Sequence, residues 1–216
     1  MKKSMAILVF LLFAATGAFA RDFSVSIGIG GLFDWSFNNG AELKYDNDKY
    51  YSGFRNLSFG GFIFFDLTYV EVEAGFTYGL LASVEETPSD SKTTKAGSVM
   101  QVGASILGKY PFGFGKVTFF PLIGASYNAV LTAKDKDGSD YYDSLAESNK
   151  YLSQFGLLGG AGIDIDLTRS AFLRIEAMYH IRFANKETKN LADSNPDAYT
   201  TLGKGPRAKI GIGYRF

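Results

Sequence analysis

From Phe23 to Phe37 the chain alternates. The odd positions read Phe23, Val25, Ile27, Ile29, Gly31, Phe33, Trp35 and Phe37. The even positions between them read Ser24, Ser26, Gly28, Gly30, Leu32, Asp34 and Ser36. Successive side chains of a strand point to opposite faces, so a period of two predicts a strand with one apolar face and one small or polar face. The same sorting recurs seven more times, over roughly 55–65, 69–82, 99–110, 116–131, 151–165, 171–183 and 206–216. In the third strand Val70, Val72, Ala74, Phe76, Tyr78 and Leu80 oppose Glu71, Glu73, Gly75, Thr77 and Gly79. In the seventh, Leu173, Ile175, Ala177, Tyr179, Ile181 and Phe183 oppose Arg174, Glu176, Met178, His180 and Arg182. The second strand is the least regular, because Phe62 and Phe64 fall on its polar face. A bulge after Gly60-Gly61 is one way to account for them.

The connections alternate in length. Residues 66–68, 111–115 and 166–169 read as tight turns. Residues 38–54, 83–98, 132–150 and 184–205 read as long, polar, charged loops. Short turns at one rim and long loops at the other describe an up-and-down arrangement. The predicted fold class is therefore all-β: an eight-stranded up-and-down antiparallel transmembrane β-barrel with short periplasmic turns and long extracellular loops.

A secreted soluble eight-stranded barrel alternates in the same way but buries its apolar face. Three features favour the membrane arrangement. The polar face is rich in glycine (Gly28, Gly30, Gly60, Gly75, Gly79, Gly103, Gly124, Gly156, Gly160, Gly162, Gly211 and Gly213), which weakens a solvated strand but suits a narrow interior. Aromatics mark both ends of the apolar stripes: Phe23, Phe65, Tyr110, Phe119 and Tyr214 at one, Trp35, Phe37, Tyr78, Tyr127, Tyr179 and Phe183 at the other. Such girdles sit where lipid meets water. Finally, the last strand runs to Phe216.

The N-terminus has a separate pattern. Lys2 and Lys3 precede a nearly all-apolar run from Met5 to Ala15, and Ala18-Phe19-Ala20 places small residues at the two positions a signal peptidase reads. Residues 1–20 are expected to be a cleaved secretory signal, leaving about 196 residues, 21–216, as one barrel domain. The apolar run is short of the ~20 residues that span a bilayer. With no cysteine there is neither a lipoprotein anchor nor a disulfide framework. The composition, 25 Gly, 20 Phe and 13 Tyr against 5 Pro, fits alternating strands better than helices. A net charge of zero, slightly negative once Lys2 and Lys3 are removed, gives no reason to expect a nucleic-acid partner.

The run Ile210-Gly211-Ile212-Gly213-Tyr214-Arg215-Phe216 carries a resemblance. With the eight strands and the leader, the chain resembles the small eight-stranded outer-membrane barrels of the OmpA-domain, OmpX and OmpW kind over essentially its whole mature length. That resemblance implies a bacterial outer-membrane location. It also implies that Ile212, Tyr214 and Phe216 act as an assembly signal for the β-barrel insertion machinery. It implies an architecture only, because function does not follow from fold.

The polar face also carries charge. Asp34, Glu71, Glu73, Asp164 and Glu176, with Asp166 as a further candidate, face Lys109, Lys116, Arg174, Arg182, Arg207, Lys209 and Arg215. Eight strands enclose an interior that side chains just fill, and buried charges persist only when paired or hydrated. The two readings are a salt-bridged core that plugs the lumen and a narrow pore lined with selecting charges. Glu176 and Lys209 lie at similar depth on adjacent strands and are the first pair expected. A lipid-modifying enzyme is a third, distant reading. The single histidine, His180, falls on the inward face by parity, so a place in the interior polar network is expected for it rather than a catalytic one. Gly28-x-Gly30-Gly31 and Gly159-Gly160-x-Gly162 sit inside strands and open no helix, so they predict no phosphate cradle. Asp135-Lys136-Asp137-Gly138 and Glu85-Glu86 lack the spacing of a calcium loop. No catalytic residue, cofactor or metal is expected. The expected partners are outer-membrane lipid, the assembly machinery, and a surface ligand reached through loop tyrosines Tyr45, Tyr50, Tyr51, Tyr141, Tyr142 and Tyr199.

Overall fold

A computed structural model describes residues 24–45, 48–87, 90–140, 144, 153–183, 198–200 and 203–216. Residues 1–20, with Ala18 and Ala20, and also Phe23, Tyr141 and Tyr142 lie outside them. Ten strands are present among the described residues: β1 (Ser26–Tyr45), β2 (Asp48–Asp66), β3 (Val70–Thr87), β4 (Asp90–Lys109), β5 (Phe112–Phe114), β6 (Val117–Asp135), β7 (Gln154–Asp166), β8 (Ala171–Phe183), β9 (Ala198–Thr200) and β10 (Gly203–Arg215). Eight of them form the wall, each antiparallel to the next, and β10 pairs with β1 to close it. The two short strands are additions. β5 folds back on the start of β6, and β9 pairs with the far end of β1.

Alternation sets the two faces. Ile29, Ile63, Ile106, Ile123, Ile210 and Ile212 are exposed on the outside, while Asp34, Glu71, Arg174, Glu176 and His180 are buried within. A closed sheet pairs every wall strand on both sides, so the backbone leaves no open edge to hydrocarbon. Phe65, Tyr110, Phe119 and Tyr214 point outward near the turns, and Trp35, Tyr78, Tyr127 and Tyr179 point outward toward the other end.

Two sequence expectations need correction. The segments read as long loops over 38–54 and 83–98 are largely strand. β1 and β2 stay paired from Asn39↔Phe54 up to Tyr45↔Asp48, and β3 and β4 up to Thr87↔Asp90. Backbone pairing continues past the point where apolar alternation ends, because hydrogen bonds need no apolar face. Tyr45, Tyr50, Tyr51 and Tyr199 therefore lie in strands. There is also no bulge after Gly60-Gly61, since β1 and β2 remain in register from Ser26↔Asp66 to Ser36↔Asn56. Irregularities fall elsewhere, between Ser36 and Asn39, at Ala96 and at Leu131.

Phe62 and Phe64 belong inside. They pack with Phe172 and Leu32, and a second interior cluster joins Leu107, Phe120, Leu122, Leu158 and Met178. Inward glycines make the room. A Cβ on Gly28 would collide with the Phe64 ring, on Gly162 with the Phe120 ring, and on Gly213 with the Phe172 ring. The glycine face and the interior phenylalanines are thus one packing solution: small residues opposite large ones fill a narrow lumen.

At the turn end, Thr68 has φ 67, a backbone region that β-branched residues rarely adopt. It is held from both sides. Its amide donates to Asp66 Oδ1 at 2.9 Å, and its hydroxyl donates to the Ser24 carbonyl at 2.9 Å.

Candidate functional site

The interior charges sort into two groups along the barrel axis. The first lies toward the turns. Asp66 ends β2, Glu71 and Glu73 lie on β3, Lys109 ends β4, Asp164 lies on β7, Arg174 and Glu176 lie on β8, and Lys209 lies on β10. Alternation places all of these side chains inward, and strand register sets their depth. Glu71 stands beside Asp66, Asp164 beside Arg174, and Glu176 beside Lys209.

Arg174 is the hub of this group. Its Nε donates to Asp164 Oδ1 at 2.7 Å, and its Nη2 donates to Asp164 Oδ2 at 2.7 Å and to Asp66 Oδ2 at 2.6 Å. Its Nη1 donates to Glu71 Oε2. The two-point contact with Asp164 is the fork geometry that a guanidinium makes with a carboxylate. The cation is also ringed by aromatics, with the Phe64, Phe120 and Phe172 centroids at 4.5, 5.1 and 5.1 Å. These are cation–π distances in a desolvated setting. Lys109 joins the group by donating to Asp66 and, at 3.2 Å, to Glu71. Lys209 donates to Glu73 and, at 3.0 Å, to Glu176.

The second group lies toward the strand extensions and centres on Asp34. Arg182 Nη2 and Arg207 Nε donate to its Oδ2 at 2.8 and 2.7 Å. His180 Nδ1 lies 3.7 Å from the same oxygen, and the imidazole is buried. Between the two groups is a cavity of about 30 Å³, lined by Leu32, Phe62, Glu73, Thr77, Ser105, Asn128, Arg207 and Lys209 among others. That is room for about two waters.

Two residues expected in this network are placed at its margin. Lys116 is exposed in the turn before β6 and takes no part, because its strand begins only at Val117 and parity lapses outside the ladder. Arg215 is partly exposed at the turn end, where it meets Asp166 at 3.3 Å. One member, Asp66, was missed. It reads as a turn residue but is the last residue of β2, where Oδ1 caps the Thr68 amide while Oδ2 receives Arg174 and Lys109. Ile212, Tyr214 and Phe216 are exposed on the outer face, with the Tyr214 and Phe216 rings edge to face at 5.4 Å.

The sequence matches the family model described as outer membrane protein β-barrel domain over residues 6–216. No curated protein matches it. Among solved structures, the outer membrane protein OprG from Pseudomonas aeruginosa aligns with a TM-score of 0.52 at 15% identity, covering 90% of this chain and 96% of that one. Neisserial surface protein A aligns with a TM-score of 0.47 at 12% identity, covering 89% and 97%. At such identities the likeness is one of fold.

Proposed function

This chain belongs to the outer membrane protein β-barrel domain family and resides in the bacterial outer membrane, and we propose that it is a non-enzymatic barrel with a closed lumen and an interacting outer rim. One observation carries the closed lumen. Arg174 joins Asp66, Glu71 and Asp164, which come from strands on both sides of the interior, and three phenylalanine rings fill the space around it. A solute would have to separate those ion pairs and displace packed aromatics together. Planar-bilayer recording of the refolded protein is expected to give no steady conductance steps. Regular single-channel steps would instead favour a narrow pore for small solutes, the reading that the central cavity supports.

Interaction is assigned to the far rim because the β1–β2 and β3–β4 hairpins continue beyond the apolar belt as paired strands. Backbone pairing lowers the entropic cost of presenting a binding segment. Their tyrosines are the proposed contacts with a surface ligand. A non-catalytic role fits His180, which is buried among Asp34, Arg182 and Arg207, where no lipid reaches it.

Phe216, Tyr214 and Ile212 are proposed as the signal read by the insertion machinery, with outer-membrane lipid as the partner of the finished wall. Phe216 exposes its side chain on the outside, against Tyr214, while its amide donates to the Val25 carbonyl at 2.9 Å. Deleting Phe216 is expected to reduce the fraction recovered as folded, heat-modifiable barrel in outer-membrane preparations. Wild-type recovery would remove that role.

A further inference from the structure

The charge group nearer the turns does not balance. Among the described residues, the ion pairs of Asp66, Glu71, Glu73, Asp164 and Glu176 are with Lys109, Arg174 and Lys209. All five carboxylates are buried. Each carboxylate has a basic partner, but five negative charges share three positive ones, an excess of two in a low-dielectric interior, where uncompensated charge is strongly disfavoured. The second group, two arginines around Asp34, has one positive charge in excess across the central cavity. The two groups together are short by one positive charge.

The shortfall has a location. Glu71, Glu73 and Glu176 bring one carboxylate oxygen each to within 4.8 Å of one another. Glu71 and Glu176 each give Oε2 to a basic side chain, but Oε1 of each is buried with no hydrogen-bond partner. The central cavity does not explain these two atoms, because Glu73 lines it and Glu71 and Glu176 do not. Unsatisfied buried carboxylate oxygens on opposite sides of a lumen require a donor or a cation between them.

We propose that a divalent cation of the calcium type is held by Glu71, Glu73 and Glu176. Hard oxygen ligands suit such an ion, and three oxygens gathered within 4.8 Å of one another lie near the spacing that calcium–oxygen distances of about 2.3–2.6 Å require. Water in the adjoining cavity completes the shell from the Glu73 side. The ion offsets the two-charge excess of the turn-end group and joins β3 to β8 across the lumen. Lys209 already bridges Glu73 and Glu176, through Oε1 of the first and Oε2 of the second, and leaves Oε1 of Glu176 and Oε1 of Glu71 without a partner.

The test is metal content, which is read independently of conductance. The full chain is refolded into detergent micelles with calcium chloride or with chelator, passed through a desalting column and analysed by mass spectrometry for bound metal. Wild type is expected to keep about one calcium per chain when refolded with calcium and none with chelator. Glu176→Gln and Glu71→Gln, checked for the heat-modifiable folded band, are expected to lose it. Asp137→Asn, in the exposed Lys136–Asp137 turn, is expected to keep it. Wild type that desalts free of calcium overturns the site and leaves protons shared among the carboxylates as the neutralising species. That measurement stands even if both glutamine variants fail to fold. Calcium lost in Asp137→Asn and kept in Glu176→Gln overturns it as well.

Discussion

Arg174→Met is expected to destabilise the barrel by about 3–5 kcal/mol, read as a lower urea midpoint for protein refolded into lipid vesicles. Methionine keeps most of the side-chain volume and can still lie against Phe64, Phe120 and Phe172, so the loss is electrostatic. Asp164 loses its two-point partner, and Asp66 and Glu71 keep only Lys109. Removing one member of a buried ion group leaves uncompensated charge, whereas replacing the group by neutral residues of similar shape is often harmless. Arg174→Met combined with Glu71→Gln and Asp164→Asn is therefore expected to regain most of the lost stability. Recovery of that size would show strong coupling among the three sites. A single substitution that shifts the midpoint by less than the equivalent of about 1 kcal/mol would mean that the group behaves like a surface ion pair.

The second large effect comes from one methyl group placed on either side of the wall. Gly60 and Gly61 are adjacent on β2 and face opposite ways. A Cβ on Gly60 would meet the Phe76 carbonyl oxygen, with the Phe76 carbonyl carbon and Thr77 Cα each at 2.8 Å. Those are backbone atoms of β3 and cannot rotate aside, so the two strands must move apart. A Cβ on Gly61 meets only the Gly30 carbonyl oxygen, at 3.6 Å. Gly60→Ala is expected to cost about 1–3 kcal/mol as overpacking. Gly61→Ala is expected to stay within about 0.5 kcal/mol. Urea titrations of the two variants in the same vesicles make the comparison. Equal effects would show that inward close packing does not explain the glycine-rich face.

The outer surface of the barrel was legible in the sequence because one rule, alternation, decides it. Ile29, Ile63, Ile106, Ile123 and Ile212 follow parity and nothing else. The interior needed more than parity. Phe62 and Phe64 looked like faults in the second strand because a large apolar side chain on a polar face has no local explanation. Its explanation is Gly28, which sits opposite Phe64 in the β1–β2 register but far away along the chain. Asp66 was hidden for a different reason. A residue that caps a turn and an inward lumen residue carry different sequence marks, and Asp66 serves in both places with different oxygens. Lys116 erred the opposite way, since parity was extended one residue past the end of the ladder. The strand extensions over 39–45 and 83–87 were unreadable from hydropathy, because their sequence carries polar residues at both parities, so the period of two disappears while the backbone ladder continues.

The seam between β1 and β10 pairs Ser26 with Arg215, nearly the whole chain apart. Every other wall pairing joins consecutive strands of the wall, so a growing chain can form hairpins early but cannot complete a cylinder until β10 is available. Before that moment β1 and β8 both present unsatisfied backbone edges, which hydrocarbon excludes and water leaves open to other chains. Entry into the bilayer is thus tied to one late, non-local event, and such events are slow because loop entropy is lost before contacts compensate. The interval before closure is therefore the one in which the apolar stripes and open edges of this chain are most prone to aggregate.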